Sequence, residues 1–113
     1  MITIYHNPRC RKSREGLAVL EAAEVKFEIV KYLTTPLTEE ELTDLMSKLE
    51  MKPLELVRTK EAVWKENFKG KEMTDQEVIK AMADFPKLLE RPVVVNGKKA
   101  VLGRPAELIN TIL

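Results

Sequence analysis

Apolar residues alternate at the start of the chain, with Ile2 and Ile4 on either side of Thr3, and this two-residue period predicts a first β-strand running into Tyr5. After a turn at Asn7-Pro8 the period lengthens, and Leu17 and Leu20 fall on one face of a helix predicted from about Arg11 to Ala22. Val25, Phe27 and Ile29 then alternate with Lys26 and Glu28 and predict a second strand, which Thr34-Thr35-Pro36 breaks. Strand, helix, strand is a β-α-β unit, whose crossover is right-handed and whose strands pair in parallel.

The middle of the chain has helical spacing. Thr38-Glu39-Glu40-Glu41 reads as a capping box, followed by Leu42, Leu45, Met46 and Leu49 on one face. Met51-Lys52-Pro53 ends that helix and starts a short one through Leu54, Leu56 and Val57. Residues 59–68 read as another short helix carrying Trp64 and Phe68, with Trp64 packing the inserted helices. A second capping box, Thr74-Asp75-Gln76-Glu77, opens a helix with Val78, Ile79, Met82 and Phe85 inward. Met46, Met51, Met73 and Met82 read as core filler.

Strand periodicity returns at Val93-Val94-Val95. Asn96-Gly97 is the pair favoured in a type I′ turn, and Lys98 to Leu102 completes a β-hairpin. After Gly103-Arg104-Pro105 a last helix presents Leu108, Ile109 and Ile112 as its apolar face. The order β-α-β, helices, β-β-α predicts an α/β protein with a thioredoxin-like four-stranded mixed sheet. It is read as a single domain over 1–113, with a helical insertion at about 37–85 packed on the sheet.

Composition narrows the function. A chain of 113 residues with 44% hydrophobic and 33% charged residues suits one globular domain with a modest core. A net charge of +1 gives no global basic field for nucleic acid or an anionic membrane. Residues 1–5 lead straight into a strand, without a signal-peptide layout, and no apolar run is long enough to span a bilayer. The lone cysteine forbids an internal disulfide, and a structural zinc site needs several Cys or His ligands, so no metal and a reducing cytoplasmic setting are expected.

That cysteine is Cys10, at the predicted strand-to-helix turn, in a stretch that also holds the only histidine, His6. The unpaired N–H groups of a first helical turn favour an anion. Arg9, Arg11, Lys12 and Arg14 are expected to push the same way, towards thiolate. Ser13 stands where a C-x-x-C protein has its resolving cysteine; its hydroxyl can hydrogen-bond the Cys10 sulfur but cannot be oxidised with it. An intermediate on Cys10 therefore needs an external thiol.

His6-Asn7-Pro8-Arg9-Cys10-Arg11-Lys12-Ser13-Arg14, Tyr32-Leu33-Thr34-Thr35-Pro36, Leu56-Val57-Arg58, Glu90-Arg91-Pro92-Val93-Val94-Val95 and Gly103-Arg104-Pro105 together resemble the glutaredoxin-dependent arsenate reductase family, nearly end to end and in order. The resemblance implies that Cys10 is the nucleophile that forms a thiol–arsenate adduct. It implies that His6 tunes its ionisation and that Arg58, Arg91 and Arg104 bind the oxyanion; Ser13 is counted with the catalytic residues and Asn7 with the substrate-binding ones. Pro92 would be the cis-proline that brings the Arg91 backbone beside Cys10. Glutathione would be the co-substrate and glutaredoxin the protein partner of a monomer with no bound cofactor, in arsenic detoxification. Arg11 and Lys12 depart from the best-studied members, which carry small residues there. Arg9, Arg11 and Lys12 are read either as solvated charges or as a docking face for glutaredoxin.

Two other classes compare with this enzyme. An Spx-like transcription-regulator adaptor shares the fold, but its redox-switch members carry a C-x-x-C pair that Ser13 interrupts. A phosphatase-like arsenate reductase needs a Cys-x5-Arg loop, and the sixth residue after Cys10 is Gly16, which rejects it.

Overall fold

The alternating N-terminal residues form strand β1, Ile2–Tyr5, and the lengthened period that follows forms helix α1, Arg11–Ala22, in a computed structural model that describes every residue from Met1 to Leu113. Strand β2, Phe27–Val30, starts two residues later than the alternation implies. It pairs with β1 in parallel, Ile4 opposite Ile29. Strands β3, Val93–Asn96, and β4, Lys99–Leu102, complete a sheet in the order β2-β1-β3-β4, both added antiparallel. This mixed sheet is the predicted thioredoxin-like one, with β1 and β3 central. Ile2, Ile4 and Val94 of the sheet meet Leu20 of α1 and Ile109 of the C-terminal segment in one core, against which Leu17 and Phe27 also pack. Burying side chains of this size contributes about 1.5–3 kcal/mol each. Ile29 is 45% exposed on this edge strand, although it shares a face with Phe27 and lies opposite the buried Ile4.

Two local expectations are corrected in this part. The hairpin turn is centred on Gly97-Lys98, with Asn96 paired to Lys99. Gly97 has φ +63° and Lys98 is not in the positive-φ region, the pattern of a type II′ turn with glycine first rather than the type I′ turn expected from Asn96-Gly97. Asn96 is instead the last strand residue, and its Nδ2 donates to the Ile112 carbonyl at 2.6 Å. The C-terminal segment, Ala106–Ile112, is a 3-10 helix. Residues three apart eclipse in that geometry, so Ala106, Ile109 and Ile112 form the inward row. Leu108, expected inward on an α-helical wheel, is 38% exposed.

The chain divides into two compact units, Met1–Thr35 with Arg91–Leu113, and Pro36–Glu90. The second contains helices α2 (Glu39–Leu49), α3 (Ala62–Asn67) and α4 (Asp75–Asp84), with 3-10 turns at Pro53–Leu56 and Pro86–Leu88. Both predicted capping boxes are present: Thr38 and Thr74 accept from the N–H groups of Glu41 and Glu77, whose carboxylates take the threonine N–H groups in return. Leu42, Leu45 and Met46 of α2 and Val78, Ile79 and Met82 of α4 are buried where these helices pack. Met51 and Met73 are only partly buried. Trp64 is buried and lies 5.2 Å from the Phe68 ring. Phe85 is 38% exposed rather than inward, with its ring edge-on to Phe68 at 5.9 Å. Pro86 disfavours helical geometry at the residue before it, and Phe85 leaves the helix at φ −127°, ψ 81°.

Candidate active site around Cys10

The loop between β1 and α1 is built by Asn7. Its Oδ1 accepts from Arg9 N–H and its carbonyl from Cys10 N–H, both at 3.0 Å. The Arg14 guanidinium donates to the Pro8 carbonyl at 3.0 Å and braces the same turn. Asn7 thus shapes the loop, whatever else its amide group does. Cys10 is the N-cap residue of α1, in extended conformation and partly exposed, and its carbonyl accepts the first helical bond from Arg14 N–H.

The helix backbone and one arginine set the acidity of the sulfur. Burial pushes the Cys10 thiol up and is the largest single influence. It is outweighed by the backbone N–H of Ser13, the charge and hydrogen bond of the Arg91 side chain, and the backbone N–H of Lys12, so the thiol sits below its ordinary value. Thiolate formation was the expectation, but its source is corrected. The side chains of Arg9, Arg11, Lys12 and Arg14 are not among the influences that lower the thiol; Arg11 and Lys12 share the Glu15 carboxylate at 3.4 and 3.8 Å, and Arg14 faces Pro8. Exposed charges are screened by water, whereas N–H dipoles aimed at the sulfur and a buried guanidinium are not.

Ser13 works from the other side of its residue than expected. Its hydroxyl is fully buried, accepts from Asn7 N–H at 3.0 Å and pairs with His6 Nδ1 at 2.6 Å. The backbone N–H, not the hydroxyl, is the part of Ser13 that lowers the Cys10 thiol. His6 is 4% exposed. Burial keeps its pKa below the ordinary value, reinforced by the charges of Lys31 and Arg14 and opposed by the Ser13 hydrogen bond. His6 meets Ser13 and thereby anchors the turn whose N–H faces the sulfur.

Arg91 is buried and precedes Pro92 through a cis peptide bond. Arg104 donates from Nε to the Arg91 carbonyl at 2.8 Å, and Gly103 N–H donates to the Pro92 carbonyl at 2.8 Å. Arg91 and Arg104 are thus brought together beside the Cys10 loop. Arg58 lies in the other unit, where its guanidinium reaches Glu61 at 3.2 Å and Glu90 at 3.9 Å.

One residue that shapes the site was not foreseen from the sequence. A Cβ on Gly16 would meet Pro92 Cγ at 2.6 Å, so glycine in the second turn of α1 lets the Arg91-Pro92 segment seat against the helix that carries Cys10. The available signal was the glycine itself, since a helix interior without a packing reason prefers Ala by about 1 kcal/mol.

Comparison with known proteins adds three findings. A family model described as the ArsC family matches residues 5–112. The chain is 41% identical over 114 residues to an arsenate reductase of Neisseria meningitidis (99% of this chain, 97% of that protein), and 46% identical over 114 residues to the uncharacterized protein YfgD of Escherichia coli K12 (99% and 96%). The solved structure of an arsenate reductase from Vibrio cholerae superposes with a TM-score of 0.94 at 42% identity, covering 99% of this chain and 97% of that one.

Proposed function

The chain belongs to the ArsC family, and on that premise we propose that it is a monothiol arsenate reductase working through Cys10, with glutathione as co-substrate and glutaredoxin as protein partner. The observation that carries this reading is the Cys10 sulfur, partly exposed and held below its ordinary pKa by the N–H groups of Ser13 and Lys12 and by the Arg91 side chain. A thiolate attacking a tetrahedral oxyanion meets like-charge repulsion, and guanidinium forks neutralise the oxygens while leaving the sulfur ionised. Arg91 takes this part beside the sulfur and Arg104 beside Arg91; Arg58 is assigned to the same oxyanion by the family motif.

In the first step the Cys10 thiolate attacks arsenic, a sulfur–arsenic bond forms, and an arsenate oxygen leaves as water after protonation. Glutathione thiolate then attacks the Cys10 sulfur. The sulfur–arsenic bond breaks with its electron pair going to arsenic, which leaves as arsenite. Cys10 remains in a mixed disulfide with glutathione. A glutaredoxin thiolate attacks the glutathione sulfur and releases Cys10 as thiolate. Two thiols have then supplied the two electrons that arsenic gained. Ser13 cannot close this cycle internally, so the reductant must arrive from outside, in a reducing compartment. No helix is long and apolar enough to cross a membrane.

The test is arsenate-dependent NADPH oxidation coupled through glutathione, glutaredoxin and glutathione reductase. Wild type should turn over, Cys10→Ser should fall to background, and Ala at Arg58, Arg91 or Arg104 should lower turnover more than Arg14→Ala. No arsenate-dependent rate in the wild type, or equal losses at all four arginines, contradicts the reading.

A further inference from the structure

The first turn of α1 carries charge of the wrong sign for a helix start. The exposed N–H groups make that end positive, favouring acids and disfavouring cations. Helices α2 and α4 follow this, with Glu39, Glu40 and Glu41 in one first turn and Asp75 and Glu77 in the other. Helix α1 has no acid there; it has Arg11 and Lys12, with Arg9 just before Cys10, all exposed. Arg14 has a structural use in bracing Pro8. Arg11 and Lys12 have only a shared Glu15, with their own side chains 84% and 57% exposed, and ion pairs so exposed are weak and exchange readily. None of these side chains is among the influences that lower the Cys10 thiol. In a chain whose net charge is only +1, the concentration is local.

We propose that Arg9, Arg11 and Lys12 form a docking surface for a partner protein whose reactive cysteine is flanked by carboxylates. The inference rests on the proposed function's need for an external thiol. The cations flank Cys10 on both sides in the chain, and Arg11 and Lys12 stand about 100° apart around the helix axis. An acidic protein face can engage all of them at once, whereas a small anion sitting on the sulfur meets fewer. Complementary charge of this kind speeds encounter and loses its effect as salt is added.

The experiment needs no oxyanion. Cys10 is capped as a mixed disulfide with 2-mercaptoethanol, and release is followed with three cysteine peptides alike except for Asp/Glu, Asn/Gln or Lys flanks, and with glutathione. The incoming thiolate attacks the 2-mercaptoethanol sulfur, the disulfide bond breaks, and Cys10 leaves as thiolate with the electron pair. Rates are compared per thiolate on the wild type, on Arg9→Gln/Arg11→Gln/Lys12→Gln and on Arg9→Glu/Arg11→Glu/Lys12→Glu, with thermal unfolding confirming that each variant folds. On the wild type the acidic peptide should react about tenfold faster than the neutral one at low salt. That ratio should collapse to near one with salt or in the Gln variant, and the Glu variant should prefer the Lys-flanked peptide. A wild-type ratio near one, or a ratio that survives both substitutions, overturns the docking surface. So does an equal arginine dependence with glutathione, which would make the patch a small-anion site. Because these rates are read without arsenate, they do not move if the arsenate assay fails, and a negative outcome here leaves arsenate turnover unaffected.

Discussion

Helix α2 begins on Thr38, whose hydroxyl accepts from Glu41 N–H while the Glu41 carboxylate takes Thr38 N–H, and its first turn is all glutamate. Helix α1 begins on Cys10, with no side-chain cap, no acid in its first turn and two cations instead. The same backbone ends are offered in both. In α2 side-chain oxygens satisfy them, and the helix gains stability. In α1 the N–H groups of Lys12 and Ser13 are turned on a sulfur, which gains acidity. One helix start serves folding and the other chemistry, so substitutions should separate stability from reactivity according to which start they touch.

The largest expected effect comes where α1 recovers stability through packing. Gly16→Ala would normally favour a helix, but here the added methyl meets the Pro92 ring, and overpacking of this kind costs about 1–3 kcal/mol. Denaturant unfolding should show the loss, and the altered seating of Arg91 should slow Cys10 alkylation. Unchanged stability would mean that the close approach of helix and proline has no energetic consequence. Next comes Thr38→Ala, which removes one cap bond of α2 and should cost about 1 kcal/mol in the same unfolding measurement. The pH profile of Cys10 alkylation should stay where it was. A shift in that profile would erase the distinction between the two helix starts.

A smaller effect belongs to the buried His6–Ser13 pair. The folded His6 pKa lies below the unfolded one, so its neutral form contributes stability that is present above about pH 6.5 and is lost as pH falls through the folded value. Tm should therefore fall more steeply below that pH in the wild type than in His6→Gln. Parallel curves would place the histidine in an ordinary solvated state.

The order of elements along the chain, both capping boxes and the placing of Cys10 before a helix were legible in the sequence because each rests on neighbours within a few positions. What was not legible depends on contacts across the chain or on a residue's detailed backbone. Arg91, far along the sequence, supplies the charge that the adjacent arginines were expected to give. The Ser13 hydroxyl is drawn away to His6 and Asn7 N–H, leaving its N–H for the sulfur. Asn96-Gly97 named the hairpin but not its register, since Gly97 opens the turn rather than closing it. Arg91 and Arg104 were selected by family motif alone, and their convergence through the Arg91 carbonyl is a tertiary fact.

The central claim is that backbone N–H groups and one buried arginine lower the Cys10 thiol below its ordinary value. The direct measurement is the pH dependence of iodoacetamide alkylation in the wild type and in Arg91→Met. The wild-type midpoint should lie below the ordinary cysteine value of about 8.5, and Arg91→Met should move it upward. A wild-type midpoint at or above that value, or one unmoved by Arg91→Met, would contradict the account.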